Sequence, residues 1–266
     1  MSNGFIFSAK SYSPLHAGAG QATGKVDLPI EREKHTEFPC VYATGLKGSL
    51  RSFCENNGGS IIPKDKVSLI FGEEDSNSAA GGAIFTELKL LLFPVRSSEG
   101  SFKYVTSSFV IERFKRDYKL ATGNNEKEFN FGSPATMVEM IDGVTPGAHI
   151  LLEDFVFEKN TNHGILEPFG IKLNDIYVVS EEIFKFFVTN ATQIIARNKI
   201  KNETQTSENL WYEEVLPADS VLYSFVLPSV ANQTELSTLK NFVSNKIIQI
   251  GGGETVGYGI VEIKNL

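Results

Sequence analysis

The 266-residue sequence contains only two cysteines and four histidines, and it has no long apolar run. Cys40 and Cys54 provide neither a disulfide framework nor the ligand spacing of a zinc site, so we interpret them as small buried apolar residues. No stretch approaches the roughly 20 apolar residues that cross a membrane, and the first residues lack the pattern of a signal peptide. We therefore expect a cytoplasmic protein without a membrane partner.

Acidic residues outnumber basic ones, 32 to 25, which gives a net charge of −7 and taken alone argues against a nucleic-acid partner. The charge is unevenly distributed. Residues 1–51 contain six bases and four acids, and residues 86–120 contain seven bases and four acids, with three of these bases in "ERFKRD". This pattern fits either a local basic surface on an acidic body or scattered solvated charge.

Hydrophobic patterns predict alternating strands and helices. Strand patterns occupy residues 4–13, 81–95, 149–160, 220–229 and 257–266, and helical patterns occupy residues 43–59, 180–198 and 234–247. Thr44 is the expected N-cap of the first helix, Gly58 and Gly59 its stop, and Ser180 opens the second helix. These units predict an α+β fold, an antiparallel sheet with helices of the ferredoxin-like or RRM kind, in a single domain over residues 1–266.

Three stretches do not fit a compact core, and we interpret them as insertions. Residues 12–40 form a long, glycine-rich loop, and loops of this kind usually bind a partner. Residues 97–145 mix strand-like pieces with polar, turn-rich sequence, which suggests a lid. Residues 199–220 lead from a polar spacer into "LWYEEVLP", which predicts a projecting hairpin.

Lys47 and Arg51 lie four residues apart near the start of the first predicted helix, so they share a face. Free backbone amides, the positive end of the helix dipole and two cations would together favour a phosphate group. A solvated helix edge explains the same pair equally well.

Five glycines occur within nine residues near the C-terminus, in "IGGGETVGYGIV". They are Gly251, Gly252, Gly253, Gly257 and Gly259. Glycine permits positive φ angles and close approach of another backbone, including a sugar-phosphate chain. The segment has neither the lysine nor the following helix of a P-loop. A β-bulge or a tight hairpin is the alternative interpretation.

Taken in order, the segments "SPLHAGAG", "GKVDLPIERE", "FPCVYATGLKGSLR", "VIERFKRD", "LWYEEVLP" and "GGGETVGYG" resemble the RAMP-superfamily backbone subunit of type III-B (Cmr) CRISPR effectors along nearly the whole chain. The resemblance implies an RRM-like palm with an inserted lid and a thumb hairpin. It also implies polymerisation as a helical filament along a CRISPR RNA, together with other Cmr subunits. The thumb would interrupt the duplex of guide and target RNA at regular intervals.

The resemblance makes residues 12–40 the catalytic loop, because target-RNA cleavage in this family depends on the aspartate that matches Asp27. Asp27 would bind a divalent metal ion, Mg or Mn, or accept a proton. His16 is a candidate acid or a structural histidine, and Glu213 and Glu214 are candidate second carboxylates or solvated hairpin charges. The expected guide-RNA contacts are Lys25, Arg32, Lys47, Arg51 and the five glycines at 251, 252, 253, 257 and 259.

Three alternatives remain open at this stage. The chain could be a filament subunit that holds guide RNA without cutting, as in DNA-targeting relatives. It could instead be a small-molecule hydrolase that uses Asp27 with His16, which would need a closed pocket. Asp27 could also simply cap a turn before Pro29.

Overall fold

A nine-stranded mixed sheet forms the centre of the computed structural model, which describes residues 4–56, 62–73, 80–124, 127–138, 145, 147–167, 169–201, 206–229 and 236–266. The strands are β1 (Phe5–Ser11), β2 (Cys40–Val41), β3 (Ala83–Phe85), β4 (Leu88–Arg96), β5 (Phe102–Ser107), β6 (Met137–Val138), β7 (His149–Leu152), β8 (Phe155–Glu158), β9 (Ile165–Leu166), β10 (Ile171–Lys172), β11 (Ile176–Val179), β12 (Gln193–Ile200), β13 (Ser207–Val215), β14 (Val221–Pro228), β15 (Lys246–Gln249) and β16 (Ile260–Asn265). The α-helices of the described residues are α1 (Ala43–Asn56), α2 (Lys64–Phe71), α3 (Ser108–Thr122), α4 (Glu181–Asn190) and α5 (Leu236–Val243).

The main sheet has the strand order β11-β5-β4-β14-β1-β16-β15, with β2 paired to β4 and β3 paired to β14. Smaller sheets are formed by β6-β8-β7, by β9-β10 and by the hairpin β12-β13. The expected α+β class is therefore confirmed, but the sheet is not antiparallel throughout as expected, because β11 pairs with β5 in parallel. Each of the five predicted strand patterns contains at least one observed strand.

Strand β1 lies between β14 and β16 and is buried along both of its faces. Both faces of the sheet must therefore be covered, and helices pack against it. Helix α3 contacts β1, β4, β5 and β14, while α5 contacts β14 and β16. Helices α1 and α5 meet at the rings of Phe53 and Phe242, whose centroids lie 5.3 Å apart.

The predicted lid over residues 97–145 is wrong for its central part. Strand β5 lies between β4 and β11 in the main sheet, and α3 packs on that sheet. The Ser107 hydroxyl caps α3 by accepting from the amide of Val110, and Gly123 ends the helix with a φ of 70°. The exposed polar residues of α3, among them Glu112, Lys115 and Arg116, made a core element look like an insertion, although Arg113, Phe114 and Asp117 of the same stretch are buried. Residues 125–126 and 139–144 of the predicted lid lie outside the described residues.

The helix predicted over residues 180–198 begins at Ser180 as expected, where the hydroxyl accepts from the amide of Ile183, but it ends at Asn190. Residues 193–200 form β12 of the hairpin, and Ile194 is 56% exposed instead of lying on an apolar helix face. The β-branched residues Ile194 and Ile195 favour extended backbone. The hairpin therefore starts before the predicted boundary at 199, and residues 202–205 lie outside the described part.

Helix α1 begins at Ala43, so Thr44 lies in the first turn and is not the N-cap that the sequence predicted. Its predicted stop, Gly58 and Gly59, lies outside the described residues, as do residues 234–235 at the predicted start of α5.

The interpretation of the cysteines is confirmed, since Cys40 and Cys54 are free and buried. Burial raises the pKa of both thiols to about 12. None of the described helices is long and apolar enough to span a membrane.

A buried carboxylate ties α3 to the main sheet. Asp117, only 2% exposed, accepts hydrogen bonds from the Lys89 ammonium at 2.9 Å and from the Tyr223 hydroxyl at 3.0 Å. Arg116 reaches the other carboxylate oxygen at 2.9 Å. Burial, followed by the charge of Asp117, holds the pKa of Tyr223 well above its usual range, so the phenol remains a donor.

We predict that Asp117→Asn destabilises the protein by about 3–5 kcal/mol, because the mostly buried Lys89 ammonium loses its carboxylate. Glu112→Gln on the same helix is the matched control, since Glu112 forms an exposed pair with Lys115 at 3.1 Å. Its effect should stay below about 1 kcal/mol. Urea unfolding of the three proteins measures both values, and equal stability of the two variants would contradict the structural role of Asp117.

Candidate active site

The long loop over residues 12–40 is folded back on itself. The amide of Ala19 donates to the carbonyl of Pro29 at 2.9 Å, and the amide of Glu31 donates to Ala17 at 2.7 Å. These bonds join the two arms of the loop, so Asp27 lies near its closed end.

The loop also pairs with the edge of β13 in the hairpin. Leu28 forms a parallel bridge with Glu213, the amide of Leu28 donates to the carbonyl of Tyr212 at 3.1 Å, and the amide of Glu214 donates to Leu28 at 2.9 Å. Unpaired backbone groups at the edge of a two-stranded hairpin are thereby satisfied. Loop and hairpin form one hydrogen-bonded unit.

Asp27 is held at this junction through both its backbone and its side chain. Its amide donates to the carbonyl of Tyr212 at 3.1 Å, and its Oδ2 accepts from the amide of Tyr212 at 2.8 Å. Within the described part of the chain, Oδ1 has no hydrogen-bond partner, and the residue is exposed. The carboxylate therefore bonds the hairpin and does not cap a turn before Pro29.

A groove of about 400 Å³ opens beside Asp27. It is lined by Gln21, Ala22, Asp27, Leu28, Asn209, Leu210 and Trp211. Most of these residues are exposed, so the groove is open and differs from the closed pocket that a small-molecule hydrolase would need.

His16 is anchored to the same strand of the hairpin. Its Nδ1 lies 2.7 Å from the carbonyl oxygen of Glu214, and since a carbonyl only accepts, Nδ1 is the donor. The other ring nitrogen, Nε2, is therefore the one that can exchange a proton with a ligand. The anchors of His16 and Asp27 on β13, Glu214 and Tyr212, are separated by two residues, or about 7 Å of strand.

Glu213 and Glu214 are buried, at 9% and 7% exposure, so they are not the solvated hairpin charges that the sequence allowed. Glu213 accepts from the Trp211 indole at 2.9 Å and from Arg197 at 3.3 Å. The oxygens of Glu214 accept from the Ile30 amide, the Arg32 guanidinium and a threonine hydroxyl. Neither side chain has the free carboxylate that the expected catalytic role requires.

Arg32 does not match its expected role as a guide-RNA contact. Its guanidinium donates to the carbonyls of Glu37 and Val188 at 2.8 and 2.9 Å and to the Glu214 carboxylate at 2.5 Å. All three partners belong to the protein, so Arg32 is used inside the fold.

The other three candidate cations differ in their accessibility. Arg51 pairs with Glu55 on the same helix at 2.8 Å. Lys25 is exposed and Lys47 partly exposed, and neither has an ion-pair partner among the described residues. The structure thus leaves these two lysines as the accessible candidates for phosphate contact.

The glycine-rich segment packs against the start of the long loop. The amide of Gly252 donates to the carbonyl of His16 at 2.8 Å, and that of Gly259 donates to Pro14 at 2.8 Å. A Cβ at Gly251 would lie 2.4 Å from the His16 carbonyl oxygen, and one at Gly259 would lie 1.9 Å from that of Ile250. The close backbone approach that requires glycine is therefore made by the protein itself, within the loop that joins β15 to β16.

The donor set beside Asp27 does not fit a metal ion held by the protein alone. Among the described residues, no group of three or more His, Cys, Asp and Glu side chains is arranged to hold a metal. Asp27 offers one free oxygen, while the oxygens of Glu213 and Glu214 have protein partners. The assignment of Asp27 as a metal ligand stays a prediction.

Comparison with known families identifies the chain. Residues 9–262 match the family model of the RAMP superfamily. The chain belongs to the RAMP superfamily. It is 34% identical to the CRISPR system Cmr endoribonuclease Cmr4 of Pyrococcus furiosus, with 97% of this chain and 94% of that protein covered. It is 25% identical to the CRISPR system CMR subunit Cmr4 of Saccharolobus solfataricus, over 97% and 95% of the two chains.

Two solved structures show the same fold. The crystal structure of oligomeric Cmr4 from Pyrococcus furiosus superposes with a TM-score of 0.75 at 29% identity, covering 100% of this chain and 98% of that one. A chain of the type III-B Cmr-beta complex bound to cognate target RNA gives a TM-score of 0.78 at 19% identity, over 98% and 96% of the two chains. The latter similarity concerns the fold alone.

Sequence reasoning missed two features of this candidate site. The Tyr212 amide holds Asp27, and a main-chain contact leaves no signature in side-chain patterns. Gly18 lies against His16, since a Cβ there would be 2.8 Å from Nε2 of the imidazole. The pair His-x-Gly within the glycine-rich loop could have indicated this second feature.

We predict that Gly259→Ala is more destabilising than Gly257→Ala by about 1–3 kcal/mol, because the new methyl group collides with the Ile250 carbonyl. Both glycines have positive φ, 72° and 82°, so both variants carry about 1–2 kcal/mol of backbone strain. A Cβ at Gly257 meets no atom within 4 Å, which makes this variant the matched control. Equal midpoints in chemical denaturation would show that the contact with Ile250 does not matter.

Proposed function

We propose that this chain is the backbone subunit of a CRISPR RNA-guided effector complex, which binds guide RNA and cleaves complementary target RNA at regular intervals in antiviral defence. The observation that carries the proposal is the exposed Asp27 carboxylate, fixed on the edge of the hairpin beside an open groove. The near full-length similarity to the Cmr endoribonuclease of Pyrococcus furiosus supports it.

We assign an RRM-like palm to the core. In chain order, β1, α1, β4, β14, α5 and β16 form the pattern of a ferredoxin-like unit. In the sheet, their strands follow the order β4-β14-β1-β16 and are all antiparallel. The other strands extend this unit, and the hairpin β12-β13 is the thumb.

Cleavage of RNA by its own 2′-hydroxyl needs a base for that hydroxyl and an acid for the departing 5′-oxygen. As the new bond from the 2′-oxygen to phosphorus forms, the bond to the 5′-oxygen breaks, which leaves a 2′,3′-cyclic phosphate and a 5′-hydroxyl. The free Oδ1 of Asp27 is suited to accept the first proton, and Nε2 of His16 is suited to supply the second. Holding the RNA in line between them would provide much of the rate.

The partners of the subunit are the CRISPR RNA, the target RNA, further copies of itself and other Cmr subunits. The related Cmr4 of Pyrococcus furiosus crystallised as an oligomer, which supports self-association. Head-to-tail contacts between identical copies build a helix rather than a closed dimer. Lys25 and Lys47, with Arg51 and the exposed turn over residues 251–257, are the proposed contacts to guide phosphates, in a cytoplasmic complex.

Dependence on a divalent cation, Mg or Mn, is a separate prediction. Asp27 is the single free carboxylate of the described site, so the described residues alone do not hold a metal ion there. Loss of cutting in a chelator, with recovery when Mg or Mn is restored, is the expected result.

The alternative function is a filament subunit that binds guide RNA and does not cut. The cleavage rate of a variant at Asp27 distinguishes the two functions.

We predict that Asp27→Asn in the assembled complex retains target binding but lowers the cleavage rate about 10²–10⁴-fold. The amide oxygen of asparagine can still accept from the Tyr212 amide, so the loop keeps its position while the negative charge is lost. Gel analysis of labelled target RNA measures cutting, and filter binding measures affinity.

The matched control is Asp219→Asn, which removes a carboxylate from an exposed ion pair with Lys10 at 3.0 Å. This variant should cut like the parent. Cutting by Asp27→Asn at the parent rate would favour the non-catalytic subunit and contradict the assignment of Asp27.

A further inference from the structure

We propose that Glu214 and Arg32 form a positioning pair that fixes Asp27 and His16 on the thumb hairpin. Neither residue contacts RNA in this proposal. The inference rests on the proposed cleavage function and replaces the expected roles of Glu214 as a catalytic carboxylate and Arg32 as a guide contact.

Glu214 bonds His16 directly and reaches Asp27 through the neighbouring residue of the loop. Its carbonyl accepts from His16 at 2.7 Å, and its amide donates to the carbonyl of Leu28, the neighbour of Asp27, at 2.9 Å. Its carboxylate accepts from the amide of Ile30 at 3.2 Å. The main chain of Glu214 thus orients the His16 ring and sets the register of the loop arm that carries Asp27, and its carboxylate holds the same arm at Ile30.

Arg32 extends this connection to helix α4. One guanidinium nitrogen bonds the carbonyls of Glu37 and Val188, and the other bonds Glu214. Val188 lies in the last turn of α4, where carbonyl groups lack helical partners and a cation is favourable. Thr192, between α4 and the hairpin, donates to the same carboxylate at 2.8 Å. The loop, α4 and the hairpin therefore meet at the pair.

Burial makes the pair sensitive to the loss of one partner. The side chains of Arg32 and Glu214 are 19% and 9% exposed, and a mostly buried charge that loses its partner draws in water or moves. We expect the loss of the pair to lower the cleavage rate, because the reacting groups it positions would move. A displacement of about 1 Å at a reacting group can lower a rate about 10²-fold.

The test uses assembled complexes that contain Glu214→Gln, Arg32→Gln or both. Either substitution keeps most of the side-chain bulk but removes the ion pair, so single-turnover cleavage at saturating target should fall about 10–100-fold. Target and guide affinities should stay within about twofold. Because the pair acts as one unit, the double variant should be no slower than the slower single variant.

Two further readouts separate positioning from the roles that the sequence suggested. If Arg32 binds a guide phosphate, Arg32→Gln lowers the slope of log affinity against log salt by about one and the proposal is overturned. If Glu214 is an acid or base, Glu214→Gln removes one limb of the pH profile, which also overturns it. Positioning predicts an unchanged slope and an unchanged profile, with partial recovery of the rate in Arg32→Lys.

Glu208→Gln is the matched control, because Glu208 lies on the same strand and pairs with Lys199 at an exposed position, 3.0 Å apart. It should cut at the parent rate. Thr192→Val removes a single hydrogen bond to Glu214 and covers the case in which the pair variants do not assemble. It should cut several-fold more slowly, and an unchanged rate would overturn the proposal.

The outcomes also separate this proposal from the proposed function. A parent complex that cuts, with Glu214→Gln and Arg32→Gln cutting at the same rate, contradicts only the positioning pair. A parent complex that binds target RNA without cutting it contradicts the proposed function itself.

Discussion

The edge of strand β13 at residues 212–214 is the feature on which the rest of the site depends. A two-stranded hairpin leaves backbone donors and acceptors unpaired along its outer edge, and the long loop satisfies them at Leu28. This pairing brings a residue from near the N-terminus beside a hairpin almost 200 positions later in the chain. A glycine-rich loop that would otherwise sample many conformations is thereby given one register.

The same constraint explains why so many charged side chains at the site are bonded to other groups of the protein. Carboxylates and guanidinium groups between the loop, the hairpin and α4 fix the register and are too fully bonded to act as chemical groups. A second anchor lies at the far end of the loop, where Arg113 of α3 donates to both oxygens of the buried Glu33 at 2.7 Å. The carboxylate of Asp27 differs from these groups, because it is exposed and one of its oxygens is free. Fixed surroundings with one free oxygen are what a positioned acid–base group requires.

Much of the architecture could be predicted from local sequence, because alternation and capping are short-range signals. The strands at both ends of the chain and the Ser180 cap are examples. Asp27 and His16 could be selected as a pair because they share one loop. The states of Arg32, Glu213 and Glu214 could not be predicted, since the Arg32–Glu214 bond joins residues 182 positions apart. The error at Ile194 arose because an apolar helix face and an exposed hairpin strand use the same residue types.

Hydrogen exchange of the backbone amides of Leu28 and Glu214, followed by NMR in the isolated subunit, tests most directly whether the loop is an added strand of the hairpin. Both amides donate across this junction, at 3.1 and 2.9 Å. We predict that they are protected to the same degree as amides within the β12-β13 pairing, because loop and hairpin open together. Exchange of both amides at the rate of an unstructured chain, with the hairpin itself still protected, would contradict it.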